Sequence, residues 1–248
     1  MRIGIIGGTS ESKELANFLY DKNIKFNIHF KNLYSKFNNN TINSRINSIR
    51  FFNNKIIVKT DRTYFYDLLI DMSHPFAKNI KKLYINLPKN KVLRFSRESS
   101  NFYKKYYGYD TMTMNIIKKH TKILSLMGYK GTTEIIKSLN KISDINNFLI
   151  VSRSIEKINY GINFNFEPSK IFDIAWFEEI IKKYDISCVL IKDSGSQSKT
   201  KEKIEFFLSK NIEIFLLSYK ENTNKKIFYD MEKLKKYIMK KVNFIEKI

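Results

Sequence analysis

The sequence predicts an α/β fold of two doubly wound domains, each around a largely parallel sheet, with a cleft between them. Three observations carry this. Short β-branched runs alternate with amphipathic segments. The alternation occurs twice, on either side of a polar stretch rich in Tyr and Lys. Turns rich in Gly, Ser and Thr follow several of the apolar runs, where open α/β sheets bind ligands.

In chain order, Arg2–Ile6 reads as the first strand and Ser10–Tyr20 as a helix with Leu15, Ala16, Phe18 and Leu19 on its apolar side. Further strands are expected at Lys25–Phe30, Lys55–Val58, Tyr66–Ile70 and Lys91–Phe95, with a helix from about Pro75 to Tyr84. Ser96–Thr121 reads as irregular, so the domain boundary is placed within it, giving domains 1–105 and 106–248. The second set has strands at Lys122–Leu126, Asn147–Val151, Ser187–Ile191 and Ile212–Leu217. Its helices fall at Thr132–Leu139, Ile171–Lys183 and Lys199–Ser209, and a lysine-rich helix follows from about Tyr229. Both halves are therefore expected to be Rossmann-like.

The 248 residues suffice for two small cores, and no apolar run reaches the roughly 18 residues of a membrane span. Met1–Ile6 is too short and too soon broken by glycine for a signal peptide, and the lone Cys188 cannot form an internal disulfide. A reduced, cytoplasmic protein that does not engage membranes is the expectation. The net charge of +21 invites a polyanionic partner. The lysines are spread over most helices, however, within a chain-wide excess of Lys, Asn, Ile, Phe and Tyr. No specific nucleic-acid binding is therefore expected. Oligomeric state cannot be read from the sequence.

Three constellations stand at strand-to-helix turns. The first is Gly7-Gly8-Thr9-Ser10-Glu11. Glycines there let the backbone approach a ligand, and the free N–H groups opening the helix attract a pyrophosphate. Thr9 or Ser10 can add a hydroxyl or cap the helix. After the second strand comes Lys31 rather than an acid, which suits the 2′-phosphate of NADP. The second constellation is Asp71-Met72-Ser73-His74-Pro75-Phe76-Ala77, where Pro75 fits a first helical turn and Ser73 and His74 fall at the carboxyl end of a strand. The third is Lys192-Asp193-Ser194-Gly195-Ser196, which offers amides, hydroxyls and a cation to an anion. No metal site is expected, since His29 and His120 lack companions at ligand spacing.

Together these motifs resemble the precorrin-6A reductase and cobalt-precorrin-6A reductase family. Its Gly-Gly-Thr-x-Glu turn corresponds to Gly7–Glu11, and its Asp-Ala-Thr-His-Pro-Phe-Ala segment to Asp71–Ala77. Its Leu-Arg-x-x-Arg run corresponds to Leu93–Arg97, and its late Lys-(Asp/Asn)-Ser-Gly to Lys192–Gly195. Departures from the family pattern fall at Tyr129, where it has an arginine, at Glu167-Pro168-Ser169, and at Glu98 after Arg97. The resemblance implies hydride transfer from NADPH, or NADH, to a tetrapyrrole bearing many carboxylates. It places the nucleotide in the first domain, at Gly7, Gly8, Thr9, Ser10, Glu11, Lys31 and Ser73. The second domain is then the substrate domain. Arg94, Arg97, Lys130, Ser194 and Gly195 are expected at the substrate, with His74 and Lys192 facing the reaction from opposite sides of the cleft. The competing readings are a different NAD(P)-dependent reductase on the same frame, or a basic nucleic-acid-binding protein with a degenerate nucleotide fold.

Overall fold

The computed structural model describes residues 1–30, 40–97, 103–152, 163–168, 172–194, 199–219, 221 and 224–245. Its elements begin with β1 (Arg2–Ile6), α1 (Ser10–Asp21), β2 (Lys25–His29), β3 (Thr41–Ile42), β4 (Ser48–Phe52), β5 (Lys55–Lys59) and β6 (Thr63–Tyr66). Next come β7 (Leu68–Asp71), α2 (Lys78–Tyr84), β8 (Val92–Phe95), β9 (Lys105–Tyr106), α3 (Tyr109–Ile116), β10 (Lys122–Ser125) and α4 (Gly128–Ile142). The chain continues through β11 (Leu149–Ser152), β12 (Asn163–Phe166), α5 (Ile174–Tyr184), β13 (Cys188–Lys192), α6 (Thr200–Ser209), β14 (Glu213–Leu217), β15 (Lys226–Phe228) and α7 (Met231–Ile245). Among the described residues, no helix is long and apolar enough to cross a membrane.

Two compact units result: Met1–Arg97 together with Glu221–Ile248, and Glu98–Lys220. The chain after residue 220 thus belongs with the first unit, where the sequence reading kept it in the second. The physical reason is that β15 continues the first sheet beside β8, and α7 sinks Leu234, Ile238 and Val242 into the same apolar core as Ile3, Leu15 and Ile28. The first boundary also falls at Arg97 rather than at residue 105, because β9 pairs with β14.

In the first unit the sheet order is β15-β8-β7-β1-β2-β3, and every neighbouring pair is parallel. Helices α1 and α7 cover one face. Against the other lie Ile6, Tyr66, Leu69, Tyr84 and Val92, packed on Ile49, Ile56 and Val58 of a small antiparallel sheet. That sheet, β4-β5-β6, replaces the parallel strand expected at Lys55–Val58. The run expected as one strand at Tyr66–Ile70 is split, with Asp67 between β6 and β7 accepting from the Arg2 N–H at 2.7 Å. Gly4 is required beside it, since a Cβ there would come within 2.7 Å of the Tyr66 ring.

The second unit has the order β12-β11-β10-β13-β14-β9, again parallel throughout. Part of the stretch expected to be irregular is ordered structure: Tyr106 adds an edge strand, and α3 buries Met112, Thr113 and Ile116. In each sheet the chain leaves a central strand to one side and returns on the other, between β1 and β7 and between β10 and β13. At such points the carboxyl ends of the strands open a crevice that takes ligands.

Candidate active site

The turn after β1 is built around its glycines. Gly7 donates its N–H to the His29 carbonyl at 2.8 Å, and a Cβ on Gly7 would meet the Phe30 ring at 2.7 Å. Gly8 has φ +136°, which L side chains rarely adopt, and among the described residues no atom beyond its chain neighbours lies within 4 Å of the place its Cβ would fill. The turn therefore presents bare backbone to open space at the start of a helix. Thr9 caps α1, accepting from the Ser12 N–H, and its hydroxyl donates to the Met72 carbonyl at 3.1 Å. Thr9 thus joins the β1 turn to the β7 turn, while Ser10 is exposed and hydrogen-bonds Glu11.

Glu11 and Arg97 form a two-pronged ion pair, with Arg97 Nε 2.7 Å from Oε1 and Nη2 2.9 Å from Oε2. Burial opposes ionisation of Glu11, but the Arg97 hydrogen bonds and charge outweigh it and lower its pKa from 4.5 to about 2. Arg97 closes the rim of a recess whose other walls include Thr9, Ser73 and Pro75.

The β7 turn is held from below. Asp71 is fully buried; its Oδ1 accepts the Ser73 N–H at 2.9 Å and its Oδ2 accepts the Tyr84 hydroxyl at 2.5 Å. Burial, first, and the Asp71 charge push the Tyr84 hydroxyl far above its ordinary pKa, so it stays a donor. Ser73 is 7% exposed, and its hydroxyl has no hydrogen-bond partner among the described residues. His74 is half-buried and its Nδ1 accepts the Phe76 N–H at 3.3 Å, so the neutral ring carries its proton on Nε2. The helix expected from Pro75 starts only at Lys78, because the Ala77 N–H closes a turn onto the His74 carbonyl at 2.8 Å.

Arg94, expected at the substrate, is held within the protein. It has no exposed surface, and its guanidinium lies 3.0 Å from Asp71 Oδ2 and 3.3 Å from Glu221 Oε1. It also donates to the carbonyls of Asp71 and Ser73 at 3.3 and 2.9 Å. The guanidinium is thus enclosed by two carboxylates and two carbonyls, although Arg94 also lines the recess. Arg97 reaches the recess but spends its fork on Glu11. Lys31 and Gly195 lie outside the described residues.

In the second unit Lys192 ends β13 and crosses the first turn of α4. A Cβ on Gly131 would meet its Cε at 2.7 Å and its Nζ at 2.8 Å. Burial, and then the charge of exposed Lys130, lower the Lys192 pKa. Gly128 opens α4 with φ +70°, and Tyr129 beside it is 61% exposed. Asp193 is fully buried, accepting the Ser218 hydroxyl at 3.2 Å, and Ser194 is buried next to it. The structure thus brings Lys192, Lys130 and Ser194 to the carboxyl edge of the second sheet, and Gly7–Glu11, Ser73 and His74 to that of the first.

Sequence reasoning missed Glu221, Tyr84, Ser96 and Gly131. The first three surround Arg94 and Asp71, and Gly131 makes room for Lys192. Ser96 falls at a variable position of the Leu93–Arg97 run and the others stand in no motif, and nothing local marks a lone Glu in a lysine-rich stretch as buried.

Comparison with known proteins gives three findings. The family model described as "Precorrin-6x reductase CbiJ/CobK" matches residues 2–239. A cobalt-precorrin-6A reductase of Methanocaldococcus jannaschii is 25% identical over 255 residues, covering 96% of this chain and 98% of that protein. A solved precorrin-6A reductase structure superposes with a TM-score of 0.68 at 12% identity, over 97% of this chain and 96% of that one, and so shares the fold. With glycine-turn chemistry at one sheet edge and a family match across almost its whole length, the chain belongs to the precorrin-6x reductase family, oxidoreductases of cobalamin biosynthesis.

Proposed function

We propose that this chain reduces a precorrin-6A-type macrocycle with NADPH, and that the β1 and β7 turns hold the nucleotide. One observation carries the reading. The Gly8 backbone, at a φ that glycine adopts freely and clear of the described residues, stands at the switch point of the first sheet, joined through Thr9 to the turn bearing the Ser73 hydroxyl, which has no partner among the described residues. These residues fit a dinucleotide: bare amides at a helix start suit a pyrophosphate, and a buried hydroxyl without a partner lacks an acceptor or donor that a ligand can supply. The choice of NADPH rests on sequence, since Phe30-Lys31 follows β2 with no carboxylate to repel a 2′-phosphate.

When bound, the reduced nicotinamide supplies the hydride. The protein's part is orientation and charge. Gly8 leaves room for the pyrophosphate, and the first amides of α1 offset its charge. Ser73 and the Nε2–H of His74 orient the reacting partners by hydrogen bonding. Lys192 and Lys130 attract carboxylates of the macrocycle at the second sheet's edge. Burial lowers the Lys192 pKa, and a carboxylate beside it would raise it again.

Titration of NADPH into the wild type and Gly8→Val tests the cofactor site. A valine there puts a branched side chain into the open space and into a disfavoured φ. Affinity should fall by more than about tenfold, a difference of about 1.4 kcal/mol. Equal affinity would remove this turn from the site.

A further inference from the structure

The chain returns to the first unit at Glu221, and this residue has no counterpart among the motifs. Its side chain is 8% exposed and receives donors from three places on the first sheet's edge. Lys81 Nζ of α2 donates to Oε2 at 2.9 Å. Arg94 Nε and Nη2 at the end of β8 both donate to Oε1 at 3.3 Å, and the Ser96 hydroxyl beyond β8 donates to the same oxygen at 2.5 Å. Burial opposes its ionisation, but the Arg94 charge and the Ser96 and Lys81 hydrogen bonds prevail and lower its pKa. The other end of the Arg94 guanidinium grips the Asp71 and Ser73 carbonyls, and the Asp71 carboxylate grips the Ser73 N–H. The backbone of residues 71–73 is therefore held from both its carbonyl and its amide side. One buried carboxylate, 127 positions along the chain from Arg94, fixes the arginine that does the holding.

We propose that Glu221 is a positioning residue for the reduction: it sets Arg94 so that Arg94 fixes the turn presenting Ser73 and His74. It touches neither cofactor nor substrate. The proposal rests on the reading above that this turn meets the nicotinamide. Two cations, Lys81 and Arg94, face two carboxylates, Asp71 and Glu221. Removing one negative charge leaves Arg94 underneutralised and free to reorient around Asp71. In Glu221→Gln the amide –NH2 must also face a donor, either the Lys81 ammonium or the Arg94 and Ser96 groups. The lost contacts shift the Ser73 carbonyl rather than the Gly8 turn, so orientation suffers more than nucleotide affinity.

The test uses the full chain and two readouts. Amide hydrogen exchange is followed at residues 72–77 and in β1 and β2, and kcat and the KM for NADPH are measured for the wild type, Glu221→Gln and Glu221→Asp. In Glu221→Gln, exchange at 72–77 should accelerate while β1 and β2 stay protected. Its kcat should fall about tenfold to a hundredfold, as misplacement near 1 Å does, with the KM for NADPH changed less than about threefold. Glu221→Asp keeps the charge and should recover part of kcat. If Glu221→Gln does not fold, Lys81→Met removes one donor from the rim of the cluster and should give the same pattern more weakly. Unchanged exchange at 72–77, acceleration spread equally over the whole sheet, or loss of NADPH affinity with kcat intact would each overturn the proposal. Wild-type turnover reports separately on the functional reading, and the exchange comparison reports on the clamp whether or not turnover is seen.

Discussion

Glu11 sits at the positive end of α1, where an acid is favoured, and Arg97 binds it with both prongs of its fork. The pKa of Glu11 in the folded chain is about 2, below its ordinary 4.5. A depressed carboxylate stabilises the fold fully above its unfolded pKa and loses that contribution as pH falls through the folded value. Arg97→Met should therefore lower stability relative to wild type by a few tenths to about 1 kcal/mol at pH 6, since the pair is only partly buried. That difference should shrink between pH 4.5 and about 2 and vanish below, as read from urea midpoints across pH. A difference independent of pH would mean that Arg97 acts by packing alone. Motifs read well from sequence where the chemistry is local: Gly8 needs its own φ, and Thr9 caps its own helix. The burial of Arg94 was not legible, because it depends on Asp71, 23 positions away, and Glu221, 127 away. No short window contains that information.

At the scale of elements, long amphipathic helices and buried parallel strands were legible, while short antiparallel strands were not. The β4–β5 hairpin did carry a signal. Asn53 and Asn54 both have positive φ, 46° and 60°, as a two-residue type I′ connection requires. In a chain so rich in Asn the pair did not stand out. The start of α4 is a second case. Gly131 stands in no motif, yet it lets the helix turn pass under Lys192. Gly131→Ala puts a methyl 2.7 Å from both Lys192 Cε and Met127 Cβ. The lysine end can swing away but Met127 Cβ cannot, so we expect a loss of about 1–3 kcal/mol in thermal or urea unfolding. The displaced ammonium should raise the KM for the macrocycle, as Lys192→Ala should, with little change in the KM for NADPH. An equal effect of both variants on NADPH would place Lys192 at the cofactor instead.

At the scale of the whole molecule, sequence order concealed the return of the C-terminal segment. The sequence marks a lysine-rich helix from about Tyr229, placed by chain order in the second domain. Yet Phe228, Leu234, Ile238 and Val242 enter the first core. Each such side chain contributes about 1.5–3 kcal/mol on full burial. Truncation after Lys220 should therefore unfold the first unit and abolish NADPH binding, while Lys122–Leu217, containing all the strands around β10 except β9, keeps its own core. Near-native NADPH affinity in the truncated chain would refute this. Family membership and the two parallel sheets support the proposal made above, that this chain moves a hydride from NADPH to a precorrin ring. The most direct measurement is anaerobic incubation with precorrin-6A, or its cobalt form, and NADPH deuterated at the reactive carbon, followed by absorbance and mass spectrometry. The account predicts loss of the NADPH band, a shift in the macrocycle spectrum and one deuterium in the product. An unchanged macrocycle with intact NADPH, or reduction without deuterium transfer, would contradict it.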